Sequence, residues 1–293
     1  MIKSKSFASR LSDTIIWIIL LIMTALCFFP LLNMVSISFS GSTAAQANQV
    51  GLWPVDFNLE SYSMLFKDSQ FWHAFLVSIE RVVLGTGLNM ILSVLLAYPL
   101  SKSKSQFSAR NIYMNIMIFA MLFSGGMIPL FLVVKGLGLM NTIWALVLPG
   151  AVPIFNVILL MNFFKSIPDS LEEAAMMDGA SKPTILFKIY LPISLPALAT
   201  ISLFAIVGHW NDYFSGLLYM NSAANYPLAT YIQQLNVDMS KITDPSQLKA
   251  LASVSDKTLN AAKIVVSIVP VLMIYPFLQK YFTSGLVIGS VKG

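Results

Sequence analysis

The chain has 293 residues, 57% hydrophobic and only 11% charged, with a mean hydropathy of +0.76. A soluble domain carries about 25% charged residues, so a water-surrounded globule is excluded and a lipid bilayer is the natural solvent. The net charge of +5 is spread between apolar runs and forms no basic stripe, which argues against nucleic acid as a partner and reads instead as a membrane-topology signal.

A spanning helix needs about 20 mostly apolar residues. Six runs qualify, at about residues 14–37, 72–99, 111–134, 142–164, 190–212 and 260–282, which predicts an all-α membrane protein. The first, opening TIIWIILLIM, exceeds a signal-peptide core and lacks an Ala-x-Ala site, so a retained helix is expected behind a short N-terminal segment, residues 1–13. The second carries Glu80 and Arg81 about ten residues in. Charges there cost on the order of 2.5–3.5 kcal/mol each. They fit either the outer interface or a polar group facing an internal passage. Adjacent residues point about 100° apart on a helix, so they are not an ideal pair with each other. The sixth run has only 16 uncharged residues between Lys263 and Lys280, and snorkelling of both lysines would lengthen it.

Loop cations set the orientation. Eleven lie on one side (Lys3, Lys5, Arg10, Lys102, Lys104, Arg110, Lys165, Lys182, Lys188, Lys280, Lys292) and five on the other (Lys67, Lys135, Lys241, Lys249, Lys257). The first side is therefore expected to be cytoplasmic and to hold both termini. Two sizeable loops face outward, about 38–71 and 213–259. The second is too long for a simple turn and should be functional or disordered.

Several chemistries have no residues to carry them. Cys27 is the single cysteine, and His73 and His209 lack partners at metal-ligand spacing. No Gly-x-x-x-x-Gly-Lys phosphate cradle occurs, and no Ser/His/Asp set or carboxylate pair stands out. Enzymatic activity and a cofactor or metal of the chain's own are not expected. Asn89, Asn115, Asn156, Asn162, Ser202 and Asn211 lie inside spans. Each reads as a helix-to-helix hydrogen bond or as a lining group of a passage.

One polar hairpin interrupts the apolar pattern, SLEEAAMMDGASKPTILFKIYLP at residues 170–192. Asp169 and Ser170 both suit an N-cap, and each has a glutamate three residues on, Glu172 and Glu173, so either can form a capping box. About two helical turns follow. Asp178-Gly179 can stop them, with Gly179 free to take positive φ. Ser181 can then cap a second short helix, with Pro183 tolerated in its first turn. Leu171, Ala174 and Ala175 form an apolar stripe at 3–4 spacing. A helix this short needs a dock, and lipid headgroups or a cytoplasmic protein would each serve.

The hairpin resembles the EAA loop of bacterial ABC importer permeases. Glu173-Ala174-Ala175, Gly179, Ile189 and Leu191-Pro192 match that pattern at every spacing. Trp210-Asn211-Asp212 and the tail Gly285 to Gly293 resemble the smaller permease half of maltose-type carbohydrate importers. The stretch Phe123-Ser124-Gly125-Gly126-Met127-Ile128-Pro129 resembles a subgroup that takes oligosaccharides or polysaccharides. A departure is Gly216, where many relatives place a proline.

The resemblance implies a type I importer permease fold in a bacterial cytoplasmic membrane, with a coupling loop at 165–190 and an outer loop at 213–259. It implies a homologous permease partner, two ATP-binding cassette subunits that hold the ATP and Mg, and an extracytoplasmic solute-binding protein. Coupling to the ATPase would fall to Glu172, Glu173, Ala174, Ala175, Asp178 and Gly179. Contact with the binding protein would fall to Asn221, Asn225 and Tyr226, and the passage to Asn89, Asn115, Asn156 and Asn211. The substrate would be a carbohydrate, with an acidic polysaccharide such as alginate the leading expectation. The rival class is an ion-coupled secondary transporter or channel. It would need carboxylates near the bilayer centre, and no span centre carries Asp or Glu.

Overall fold

The computed structural model describes residues 7–238 and 256–289, and within these it is helical with no strand. Lys3, Lys5, Lys241, Lys249 and Lys292, used above for orientation, lie outside the described residues, as do the Lys280 side chain, residues 239–255 of the outer loop and the 290–293 end of the tail.

Residue packing divides the chain into two units, one of residues 1–69 with 235–268 and one of 70–234 with 269–293. The first unit begins with α1 (Phe7–Ser38), whose residues 10–32 are exposed within the chain. Short helices α2 (Ser42–Gln46) and α3 (Glu60–Lys67) follow. Ile37, Ala44, Ala45 and Val50 form a small core with Ala261 of the last helix, α15 (Asp256–Gly289). Asn33 donates to the carbonyls of Val50 at 3.1 Å and Gly51 at 2.8 Å, fixing the turn against α1. Lys263 does not snorkel: it is buried and pairs with Asp68 at 2.8 Å. Burial without that carboxylate would leave a costly unpaired charge.

The second unit is organised by α4 (Ser69–Ser101). Phe71, Ala74, Ser78, Arg81, Gly85, Asn89, Ser93, Ala97 and Leu100 are its buried residues, three or four apart along one face. Most are small or polar, so neighbouring helices approach closely and find hydrogen-bond partners. In chain order it is followed by α5 (Arg110–Leu122), α6 (Met127–Gly136), α7 (Ile143–Val147) and α8 (Ile154–Lys165). The hairpin forms α9 (Asp169–Met177), α10 (Lys182–Ile185) and α11 (Leu191–Ile193), and α12 (Leu195–Asn211), α13 (Phe214–Tyr219) and α14 (Leu228–Asp238) complete the order. Val157, Leu160, Met161 and Phe164 of α8 pack with Ile185, Leu186, Tyr190, Ala197 and Ile201 into the main apolar core.

Among the described residues, three helices are long and apolar enough to cross a membrane, and the number reaches six if each bent pair is one span. The expected third, fourth and fifth spans are those bent pairs: α5 with α6 at 113°, Ile143–Gly150 with α8 at 48°, and Lys182–Ile193 with α12 at 81°. The breaks fall where the sequence holds Gly125-Gly126, Pro149 with Pro153, and Ser194 before Pro196. Glycine and proline weaken or interrupt the helical ladder. The third span is thus not one straight helix, and Gly126, with φ of 91°, marks its corner.

The segment after α12, expected to be functional or disordered, is described over residues 213–238. Its described part is ordered into α13, a 3₁₀ turn at Ala223–Asn225 and α14. Gly216 sits where any Cβ would collide with Thr230 and Pro227, so close packing accounts for the departure noted above.

Candidate functional site

The hairpin carries the clearest site. The N-cap of α9 is Pro168, with no side-chain cap bond, and Asp169 and Ser170 are already helical. The expected capping box therefore does not form. Glu172 instead turns inward and is only 3% exposed. Its carboxylate accepts from Lys102 Nζ, from Tyr190 Oη at 2.7 Å and from Lys182 Nζ at 3.0 Å. Lys102 also donates to Tyr190 Oη at 2.7 Å and lies 4.3 Å above the Tyr98 ring and 4.0 Å above the Tyr190 ring. Burial alone would raise the Glu172 carboxyl, but the bonds from Lys102, Tyr190 and Lys182 outweigh it and hold the group down at about 2. Burial draws the Lys102 ammonium below its ordinary value, against the pull of Glu172.

These contacts join three remote pieces of chain. Lys102 directly follows α4, Glu172 belongs to α9, and Tyr190 ends a single π-helical turn, Leu186–Tyr190, that leads into α11. Such turns insert an extra residue and re-aim side chains, often at functional positions. Glu172 therefore ties the hairpin to the end of α4.

The opposite side of α9 is open. Glu173, Ala174 and Asp178 are exposed, Leu171 is 43% exposed and Met177 is 89% exposed. Ala175 alone of the expected stripe packs on the core. Leu171 and Ala174 face outward because the short helix is held by Glu172 rather than by its apolar side. At the C-terminal end, the N–H of Asp178 bonds to Ala174 O at 3.1 Å, that of Gly179 to Met176 O at 3.0 Å and that of Ala180 to Ala175 O at 2.9 Å. Gly179 has φ of 79°, as its position required. Ser181 caps α10 by accepting from Thr184 N, also as expected.

A second polar site lies around a cavity of about 500 Å³ in the same unit. Asn89 and Asn156 line it together with Arg81, His209, Asp212 and Ser215. Asn115 and Asn211 do not: Asn115 is exposed on α5, and Asn211 bonds back to Val207 O at 3.0 Å. Asn162 is exposed, while Ser202 donates to Met90 Sδ. The polar atoms of Asn89 are fully employed. Its Nδ2 donates to Gly150 O at 2.8 Å and Ala151 O at 2.9 Å, carbonyls at the break before α8, and its Oδ1 lies 3.0 Å from His209 Nε2. Asn156 donates to Ile201 O at 3.4 Å. A Cβ on Gly85 would collide with the His209 ring, so only glycine lets this histidine approach α4.

Arg81 is the largest fully buried side chain in the described structure. It pairs with the Asp212 carboxylate and donates to Asp212 O at 2.7 Å and Ser215 Oγ at 2.8 Å. Glu80, one residue before, is exposed. Arg81 is thus answered inside the protein, by a partner that lies 131 residues away. Sequence reasoning left Arg81 between the interface and a passage, and it missed His209, Asp212 and Ser215 as members of this site. The one available signal was an arginine inside a span and an aspartate at the end of another.

The residues expected to face outward are tied down locally. Asn141, with φ of 62°, accepts on Oδ1 from Asn221 N at 3.1 Å and Ser222 N at 3.3 Å, and its carbonyl accepts from Asn225 Nδ2 at 3.2 Å. Tyr226 packs against the small core of Val134, Ala145, Leu146, Tyr219 and Met220.

Comparison with known proteins identifies a family and a fold. Residues 89–288 match the family described as binding-protein-dependent transport system inner membrane component. The polygalacturonan/rhamnogalacturonan transport system permease protein YtcP of Bacillus subtilis (strain 168) is 42% identical over 286 residues, covering 97% of this chain and 99% of that protein. Protein LplC of the same organism is 40% identical over 271 residues, covering 92% of this chain and 90% of that protein. Among solved structures, a chain of a bacterial ABC transporter involved in import of the acidic polysaccharide alginate superposes with a TM-score of 0.87. It is 35% identical, over 94% of this chain and 98% of that one.

Proposed function

This chain belongs to the family of binding-protein-dependent transport system inner membrane components, and from that premise we propose that it is one permease half of an ATP-driven importer for oligomers of an acidic polysaccharide. The observation that carries the coupling role is the construction of α9. Its buried Glu172 is fastened to Lys102 and Tyr190, while Leu171, Glu173, Ala174, Met177 and Asp178 face outward. A helix held rigidly on one side and bare on the other is suited to act as a lever.

In this reading the bare face docks on an ATP-hydrolysing subunit, which binds the ATP and Mg. Two such subunits, a homologous permease and an extracytoplasmic binding protein complete the assembly, and α9 and both termini face the cytoplasm. The charge asymmetry of the loops supports that orientation. Asn221, Asn225 and Tyr226 would meet the binding protein as a shaped surface, since Asn141 and the small core hold them. Arg81, Asn89, Asn156, His209 and Asp212 would line this chain's share of the passage. The acidic substrate class is supported by the relatives described above.

The test is uptake by proteoliposomes holding the purified complex, with labelled oligouronate and its binding protein outside and ATP inside. Uptake should require ATP and be competed by unlabelled oligouronate but not by neutral maltooligosaccharide. ATP-independent uptake driven by an ion gradient would contradict the importer mechanism. Competition by the neutral sugar alone would contradict the substrate class.

A further inference from the structure

A cavity of about 380 Å³ opens among the loop after α4, the end of α8 and the start of α9. Its walls hold three cations, Lys102, Arg110 and Lys165, against a single carboxylate, Asp169, with Ser103 and Gln106 also lining it. Lys102 is already answered by Glu172. Arg110 spends Nε on Leu100 O at 3.0 Å and Nη1 on Asn111 Oδ1 at 3.2 Å. Its Nη2 and the Lys165 ammonium have no hydrogen-bond or ion-pair partner among the described residues, and Asp169 pairs with neither cation. The concave wall thus keeps one positive charge in excess, with two donors free to meet an anion.

We propose that this cavity binds the phosphate of an anionic phospholipid headgroup. Phosphate chemistry follows from the free guanidinium edge and ammonium beside hydroxyl and amide donors. The lipid source follows from position, and rests on the membrane placement proposed above. The apolar helices α4 and α5 end here, at Ser101 and Arg110, which is the depth of the headgroups. Basic pockets between membrane helices on the cytoplasmic side are suited to such lipids. Beyond Arg110, α5 exposes Ile112, Ile116 and Phe119 along one stripe, a surface on which acyl chains can lie.

The experiment is native mass spectrometry of the full chain in its purified, delipidated complex, titrated with phosphatidylglycerol or phosphatidylcholine. Phosphatidylglycerol should be retained and phosphatidylcholine should not. The Arg110→Gln/Lys165→Gln variant should hold phosphatidylglycerol about thirtyfold more weakly, and Lys165→Gln alone about fivefold. Lys104→Gln, whose residue is exposed and not among the cavity's lining, should bind as wild type. Equal retention by wild type and Lys165→Gln would overturn the proposal and reduce these cations to topology signals. Displacement of the lipid by equimolar inorganic phosphate would overturn the lipid assignment in favour of a soluble phosphate. Neither measurement involves ATP or transport, so failure here leaves the importer reading standing.

Discussion

Glu172 and Tyr190, eighteen residues apart, share a hydrogen bond of 2.7 Å beneath the exposed face of α9. The same carboxylate holds Lys102, seventy residues earlier in the chain, so one buried acid links the hairpin, the turn into α11 and the end of α4.

Glu172→Gln should uncouple the importer. It removes the charge that answers Lys102, whose side chain is only 10% exposed, and an unpaired buried charge costs about 3 kcal/mol. Substrate-stimulated ATPase activity should fall at least about tenfold while the ATPase subunit still copurifies, and Glu172→Asp should recover part of it. Unchanged stimulation in the Gln variant would show that the anchor plays no part in coupling.

The anchor should also survive mild acid. A carboxyl held at about 2, below its ordinary 4.5, contributes stability that is fully present above 4.5 and is lost as pH falls through 2. Amide exchange in α9, corrected for intrinsic rates, should show constant protection between pH 5 and 7. Loss of protection at pH 5 would mean that Glu172 is not held by its three donors.

At Gly179 the constraint is conformational rather than steric. Its φ is 79°, yet an added Cβ would meet nothing within 4 Å. Gly179→Asn should therefore keep transport, because asparagine tolerates the left-handed region. Gly179→Val should lose it, since a β-branched residue is a clear outlier there, costing upwards of about 1–2 kcal/mol. Equal transport by both variants would remove the argument for this turn.

The Arg81–Asp212 pair predicts non-additivity. Asp212→Asn strands a buried guanidinium and should destabilise the complex by about 3 kcal/mol. Arg81→Gln should cost less, because the Asp212 side chain is 37% exposed. The double variant should be milder than the sum of the two, measured by thermal unfolding in detergent. Strict additivity would mean that the two charges do not interact.

What the sequence disclosed divides along the range of the interactions. The αL stop at Gly179 and the Ser181 cap were legible because each depends on neighbours within a turn. The six apolar runs were legible from length. The corner at Gly126 was not, because Gly125-Gly126 read as a subgroup signature rather than as a break. Glu172 was misassigned to a capping box for a related reason. Local spacing offered it a partner three residues back, and nothing local pointed to Lys102 or Tyr190. Arg81 likewise found Asp212 across 131 residues, a distance that periodicity cannot register. Asn89 and Asn156 reach the cavity because they share the inward faces of α4 and α8, whereas Asn115 occupies the exposed face of α5.

The claim that α9 presents its open face to an ATP-hydrolysing subunit is tested most directly at Met177, which is 89% exposed. Met177→Cys, in a Cys27→Ser background, should be joined by a short thiol crosslinker to the ATPase subunit in the intact complex, with ATP changing the yield. Adducts to lipid-borne thiol reagents alone, with none to the ATPase, would contradict the account and leave α9 as a helix lying on the membrane surface.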